Sequence, residues 1–416
     1  MRLGRYVALL RENPAFARLY GAQLVGFAGE WFATVALLGL VLEVTGSATA
    51  ASIVLVIQTG GFALVAPFAG ILADRVDRRR LLVAANTARA PLPLLFLLGG
   101  EPGMLWLLFT AIALLAAGAA AFEPTSSASL PNLVDAERLP EANVLIGSAW
   151  GMMLAVGAAV GGLVAVTFGR EAVFVINALT FATSAWMISG IRRPLQQLRD
   201  HAHDVPHPSL ADAARSAIGF ARGNRLVAAF LLSKTSFGFG TGIVALLAVF
   251  GAQVFEAGDA GIGLLFAARG IGAVSGPFVA RALLGTEDRA LLVGIFASLV
   301  GIVVCYGLFP LAPAIGVAAL LVFGAHLGGG AQWTLSTLGL QRATPDLLRG
   351  RLFSLDYALV TLTIACSTLL AGVVADAFSP AVAVWTMVGL IMLAGSVWAA
   401  FARPLLVRHL AEVEDR

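Results

Sequence analysis

Residues 70–80 read GILADRVDRRR and break an otherwise apolar stretch of chain. The 51 residues from Leu19 to Ala69 carry two charges, Glu30 and Glu43, whereas the seven from Asp74 to Arg80 carry six. Apolar runs flank this knot on both sides. A run of about 20 apolar residues crosses a hydrocarbon core of about 30 Å as a helix. A knot of arginines between two such runs is a short loop held at one membrane face.

Working outward, the pattern repeats along all 416 residues, which are 59% hydrophobic and 12% charged, against about 25% charged in soluble domains. The hydropathy predicts twelve spans: 17–42, 47–72, 81–99, 104–122, 141–166, 170–190, 226–252, 258–284, 290–309, 313–340, 351–376 and 380–403. The runs are continuous rather than alternating, which excludes a membrane barrel. Arg11 and Arg18 bracket Asn13-Pro14 with no cleavage-like site beyond, so no signal peptide is expected. With the N-terminus in the cytoplasm, cytoplasmic segments and helix ends hold 23 of the 27 basic residues, and the opposite face holds Arg170 alone. That asymmetry predicts an inner-membrane, multi-pass protein with both termini cytoplasmic. The net charge of +3 then reflects topology, and no nucleic-acid partner is expected. One Lys against 26 Arg suggests a GC-rich bacterial genome.

Residues 191–225 form the longest polar stretch. They read as a linker with an amphipathic surface helix, Leu210, Ala213, Ala214, Ile218 and Ala221 opposing Asp212, Arg215 and Arg222. His201, His203 and His207 lie here without a Cys or carboxylate cluster to fix a metal geometry. Cys305 and Cys366 fall in apolar spans as packing residues. No metal site and no cofactor are expected. The flanking halves, 1–190 and 226–416, align at one ungapped offset of 210: Pro67-Phe68 with Pro277-Phe278, Leu81-Leu82-Val83 with Leu291-Leu292-Val293, Gly162 with Gly372, Phe168 with Phe378. The fold class expected is all-α, twelve transmembrane helices in two pseudo-symmetric six-helix bundles. Such repeats place a substrate site between them.

Within the opening loop, Gly70 allows close helix approach, and Asp74 at the boundary needs a cationic partner. The loop resembles the signature of the major facilitator superfamily, with Asp77 where that family usually has Gly. NPAFARLYGAQLVGFAGEW (13–31), EPTSSASLPNLVDAERLPEANVL (123–145) and QRATPDLLRGRLFSL (341–355) resemble its bacterial drug and siderophore exporters, macrolide efflux proteins and the enterobactin exporter among them. The resemblance implies a conformational latch: Asp74 and Arg75 engaging the start of span 11, Arg78 or Arg79 pairing with Glu123, and Asp356 joining them. It also implies that spans 1, 4, 7 and 10 line the cavity. The exporter element Gly-Pro-x-x-Gly-Gly of span 5 reads here Gly157-Ala158-Ala159-Val160-Gly161-Gly162, without its Pro.

Ionisable residues inside spans are costly, about 2.5–3.5 kcal/mol each on insertion scales, and mark function by default. Glu30 sits mid-span, and Gln23, Phe27, Glu30, Trp31 and Thr34 follow one helix face. That face suits a cavity wall where Glu30 loads and releases a proton; the competing reading is a structural pair with Arg89. Lys234, Arg269 and His326, the last near Gln332 and Trp333, are the other cavity or coupling candidates. His326 reads equally as a satisfied interior residue, and Arg269 as half of an ion pair.

The expected function is secondary export of hydrophobic or amphipathic small molecules (multidrug efflux) by alternating access, as a proton antiporter. The proton gradient supplies the energy, because no GxxxxGK[ST] loop is present. Alternatives are a dedicated metabolite exporter, such as one for a siderophore, and an importer or facilitator. No HExxH or GxSxG motif supports an enzyme. Small-molecule substrate, protons and membrane lipid are the expected partners of a monomer.

Overall fold

The computed structural model describes residues 3–101, 103–196, 210–283 and 287–414. Among them every regular element is helical, and eleven helical segments are long and apolar enough to span a membrane. One of these, Leu139–Ser189, runs for 51 residues, roughly 75 Å at 1.5 Å per residue. It is two spans joined at Gly169, whose φ of 84° and ψ of 162° break the helix. That backbone is open to glycine and strained for other residues, and it falls in the gap the hydropathy left between 166 and 170. Divided there, the spans number twelve.

The chain packs as two compact units, Met1–Asp200 with Ala248–Ala267, and His201–Leu247 with Ala268–Arg416. The polar stretch 191–225 contains the first crossing between them. Residues 248–267, which the hydropathy assigns to the C-terminal half, make their contacts in the first unit.

The first unit begins with α1 (Leu3–Glu12), α2 (Pro14–Thr45), α3 (Ala48–Arg75) and α4 (Arg78–Arg89). Each boundary has a local cause. Pro14 opens α2, where its missing N–H costs nothing. Gly46, at φ 64°, closes α2 in the left-handed region with its N–H on the Leu42 carbonyl. Ser47 caps α3 by accepting from Ala50 N at 3.1 Å. Asp77 caps α4 by accepting from Arg80 N at 2.8 Å. A carboxylate where the related signature has Gly is therefore a helix cap. Pro91 and Pro93 end α4 in a short 3-10 segment, Leu92–Leu98. α5 (Leu105–Leu133) and α6 (Leu139–Ser189) follow. α2 lies along both halves of α6 because small residues let the backbones close: a Cβ on Gly161 would stand 2.3 Å from the Phe32 carbonyl oxygen, and one on Gly29 2.0 Å from Thr180 Oγ1.

The second unit begins with α7 (Leu210–Gly223), the amphipathic helix expected from the sequence. It buries Ala217 and Ala221 and leaves Arg215 paired with Asp212 on its exposed face. His201, His203 and His207 lie outside the described residues. α8 (Arg225–Gly238) and α9 (Ile243–Val249) make one span interrupted at 239–242. Ser367 staples the interruption, accepting from Gly242 N at 3.0 Å and donating to the Gly238 carbonyl at 2.8 Å. α10 (Gly258–Leu283) starts in the first unit and ends in the second. α11 (Asp288–Leu308), α12 (Ile315–Ala343), α13 (Asp346–Ala377) and α14 (Pro380–Glu414) complete the chain. Trp398 on α14 donates to the Ala229 carbonyl at 2.7 Å inside the core.

Gly161→Ala should lower stability by about 1–3 kcal/mol, since backbone rather than a movable side chain meets the new methyl. Gly147→Ala, which meets nothing within 4 Å, should leave the melting temperature in detergent unchanged. Equal melting of the two variants would show that close approach at Gly161 is not required.

Candidate functional site

The polar centre of the first unit is built on Arg89, in the last turn of α4. Arg89 is 4% exposed, and its guanidinium forms an ion pair with Glu30 on α2. Nη1 donates to Asn86 Oδ1 at 3.2 Å, and the guanidinium lies 4.1 Å from the Phe181 ring centroid. Glu123 on α5 is a second carboxylate within electrostatic reach of Arg89. Gly118, five residues earlier on α5, provides the space. A Cβ there would stand 2.5 Å from both Cγ and Cδ of Arg89. Asn86 donates onward to Ser184 Oγ at 2.7 Å, and Ser184 donates to the Ala22 carbonyl at 2.8 Å. One network thus ties α4, α6 and α2 around a single cation.

The expected face of α2 divides. Gln23 is buried and accepts from Ser126 Oγ at 3.2 Å, and Phe27 is in the hydrophobic core. Glu30 and Trp31 remain partly accessible. Trp31 meets Trp150 edge-on, with centroids 5.5 Å apart, and Phe266 at 6.3 Å. Asn86, Gly118, Phe181 and Ser184 were not singled out from sequence; each is an ordinary residue in an apolar span until Arg89 is placed beside it.

The expected latch is partly redrawn. The side chains of Gly70, Asp74 and Arg75 lie outside the described residues. Arg78 donates to the Ala128 carbonyl at 2.7 Å, and Arg79 to the Ile191 carbonyl at 2.9 Å. These bonds hold the loop to the polar end of α5 and the segment after α6. The expected pairing of Arg78 or Arg79 with Glu123 gives way because α5 continues to Leu133. Glu123 is ten residues inside that end, roughly 15 Å along the axis, level with Arg89 rather than with the loop. α13 starts at Asp346, and within the second unit Asp356 pairs with Lys234 on α8.

That pair is the polar centre of the second unit, with side chains 3% and 5% exposed. Lys234 Nζ also lies 4.9 Å from the Trp333 ring centroid. Gln332 is buried and donates Nε2 to the Ser233 carbonyl at 2.7 Å. His326 shares a 2.7 Å hydrogen bond with Tyr306 Oη, so it has an interior partner the sequence reading did not identify. Arg269 acts electrostatically on both of these groups.

Arg170, the solitary arginine of the charge count, also has partners. It pairs with Glu43 at the end of α2 and with Asp259 at the start of α10, Nε to Oδ2 at 2.8 Å. Gly39 makes room for the Asp259 carboxylate, which a Cβ there would meet at 1.9 Å.

Twelve helical spans with ion pairs sequestered inside them define a membrane transporter of the major facilitator type. Solved structures share the fold: a bacterial homologue of the human lysosomal transporter Spinster, captured inward-facing and unoccupied, has a TM-score of 0.71 at 15% identity and covers 94% of this chain and 96% of its own. The nucleoside transporter NupG has 0.69 at 13%, covering 93% and 98%. The family described as transmembrane secretion effector matches residues 7–411, and the chain belongs to it. BacE of Bacillus amyloliquefaciens, a proposed bacilysin exporter, is 26% identical over 78% of this chain and 80% of its own length. A lysophospholipid transporter, LplT of Photorhabdus laumondii, is 33% identical over 24% of each chain.

Arg89→Gln should destabilise the protein by about 3–5 kcal/mol, because two carboxylates lose their buried cation. Adding Glu30→Gln to it should restore part of that loss. Detergent-unfolding midpoints of the wild type, single and double variants measure the coupling; additive losses would show that Arg89 and Glu30 act independently.

Proposed function

We propose that this transporter exports a small amphipathic molecule across the bacterial cytoplasmic membrane in exchange for protons. Both termini are cytoplasmic in this reading, and alternating access carries cargo and proton in opposite directions. The charge count around Arg89 carries it: one buried cation faces two carboxylates, Glu30 and Glu123. With both acids ionised the group is net negative, and one proton makes it neutral. Buried net charge is costly, so the centre has room for one proton or for one cationic group of a cargo. Competition between them at one place is the physical basis of antiport. Glu30 and Glu123 are both partly accessible; we take Glu30 as the exchanging member because it is the acid in direct ion-pair contact with Arg89. Trp31 and Trp150 beside it offer aromatic faces to an amphipathic cargo. One charge moving down 100 mV releases about 2.3 kcal/mol, enough to drive a modest gradient.

The second reading is a dedicated metabolite exporter, of a siderophore or another native product. It is supported by the likeness to BacE, named for export of one compound. The two readings share the coupling site and differ in breadth of cargo.

Glu30→Gln should abolish the dependence of transport on an imposed pH gradient in proteoliposomes while leaving protein yield intact. The measurement is efflux of a panel of fluorescent amphipathic cations and peptides, with and without the gradient. Wild-type gradient dependence in the variant removes Glu30 from the coupling role, and gradient-independent flux in the wild type removes proton antiport.

A further inference from the structure

A groove of about 330 Å³ runs along the outer side of the second unit, between α8 and α14. Leu232 and Phe239 of α8 line it, with Leu390, Leu393, Val397 and Phe401 of α14. The polar side chains of its wall have their donors engaged. Thr235 donates to the Leu231 carbonyl at 3.2 Å. Ser236 donates to the Leu232 and Ala394 carbonyls at 2.9 and 3.2 Å, and Trp398 to the Ala229 carbonyl. A polar guest finds no donor there, whereas a hydrocarbon chain needs none. From Leu390 to Phe401 the groove follows eleven residues of α14, roughly 16 Å of helix. One leaflet of a hydrocarbon core of about 30 Å is about 15 Å deep, so the groove runs the depth of one leaflet. A cation is fixed at one end only. Arg225 donates Nε and Nη2 to the Phe401 carbonyl at 3.2 and 2.9 Å, and its guanidinium lies 4.9 Å from the Phe401 ring centroid. Towards the other end, neither 235–255 nor 380–402 contains a charged residue.

We propose that this groove binds one anionic phospholipid from the leaflet beside the 191–225 linker, with an acyl chain between α8 and α14 and the headgroup phosphate on Arg225. Arg225 is exposed, and its Nη1 has no partner among the described residues. Arg222, three residues earlier, is exposed as well. Among the described residues neither arginine pairs with a carboxylate. Guanidinium–phosphate bonds are of the strong, charge-assisted kind, and arginines at a membrane surface draw anionic lipid to it. A choline headgroup would bring its own cation to a place that already holds two, which selects a headgroup of net negative charge. The chain then supplies the apolar contact that the groove offers and the phosphate the counter-charge that its mouth lacks. This surface is separate from the polar centres of both units, so the inference goes beyond the exporter reading and rests on neither its cargo nor its coupling.

The test is native mass spectrometry of the full-length protein released from detergent, with dioleoyl phosphatidylglycerol and dioleoyl phosphatidylcholine added in equal amounts. One phosphatidylglycerol should be retained per chain, favoured over phosphatidylcholine by at least about fivefold, the value of one arginine at a membrane surface. Arg225→Gln should lower phosphatidylglycerol retention about fivefold and leave phosphatidylcholine unchanged. That variant also gives up the bonds to the Phe401 carbonyl and can disturb α14, so its melting temperature is read without lipid. Ala394→Leu is the second variant. Ala394 lines the groove, and the larger side chain fills the space of the acyl chain while Arg225 stays in place, so retention of both lipids should fall. Glycerol 3-phosphate, which carries the phosphate without a chain, should not displace the bound lipid. Equal retention of the two lipids, wild-type retention in Arg225→Gln or in Ala394→Leu, or displacement by glycerol 3-phosphate would each overturn the site.

Discussion

An arginine inside a helical membrane bundle dictates its surroundings. Arg89 needs a counter-ion, donors' partners for its N–H groups and physical room, and it finds these on α2, α4, α5 and α6. Each requirement removes a degree of freedom from the packing. Glu30 fixes the rotation of α2, and Gly118 the approach of α5. Asn86 and Ser184 carry the constraint across to the Ala22 carbonyl. Lipid gives helices no hydrophobic reason to associate, so close small-residue packing and polar bonds decide which faces meet. The close contacts of Gly29 and Gly161 along α2 complete the same interface.

The second unit solves the problem with different residues. The offset of 210 that aligns the halves places Gly240 opposite Glu30 and Leu299 opposite Arg89. In the other direction it places Leu24 and Ile146 opposite Lys234 and Asp356. The repeated scaffold is therefore visible in packing residues such as Gly162 and Gly372, while the charged centres are not repeats of each other. Two unrelated ion pairs on duplicated frames are what divergence of function on a conserved architecture would leave, because packing must be kept in both halves and charge need not be.

The spans, the break near Gly169 and the meeting of Glu30 with Arg89 were all legible in the sequence. Each follows from a rule with few exceptions: length of apolar run, glycine at a kink, and the cost of a lone buried charge. Depth was not legible. Hydropathy ends span 4 at 122, but α5 stays helical through the polar stretch to Leu133, since a helix does not stop where the hydrocarbon does. That error alone moved Glu123 from the loop to Arg89. Lys234 was read as a cavity residue, and its pairing with Asp356, 122 residues away, had no local signal. Tyr306 as the partner of His326, and Gly118 as the space for Arg89, are contacts between distant residues. One sequence carries no local signal for either.

The charge asymmetry that oriented the chain had a single exception, and its structure explains why it persists. Arg170 follows the kink at Gly169 and meets two carboxylates, Glu43 and Asp259, from helices on either side. Removing Arg170 would leave Asp259, 8% exposed, without its charge partner. Gly39, Gly162 and Gly263 press the start of α10 so closely against α2 and α6 that Asp259 cannot withdraw. α10 itself belongs to both units. Arg170, Asp259 and the glycines that seat them all lie in the first unit, so the pair fixes the start of α10 against α2 and α6 within that unit.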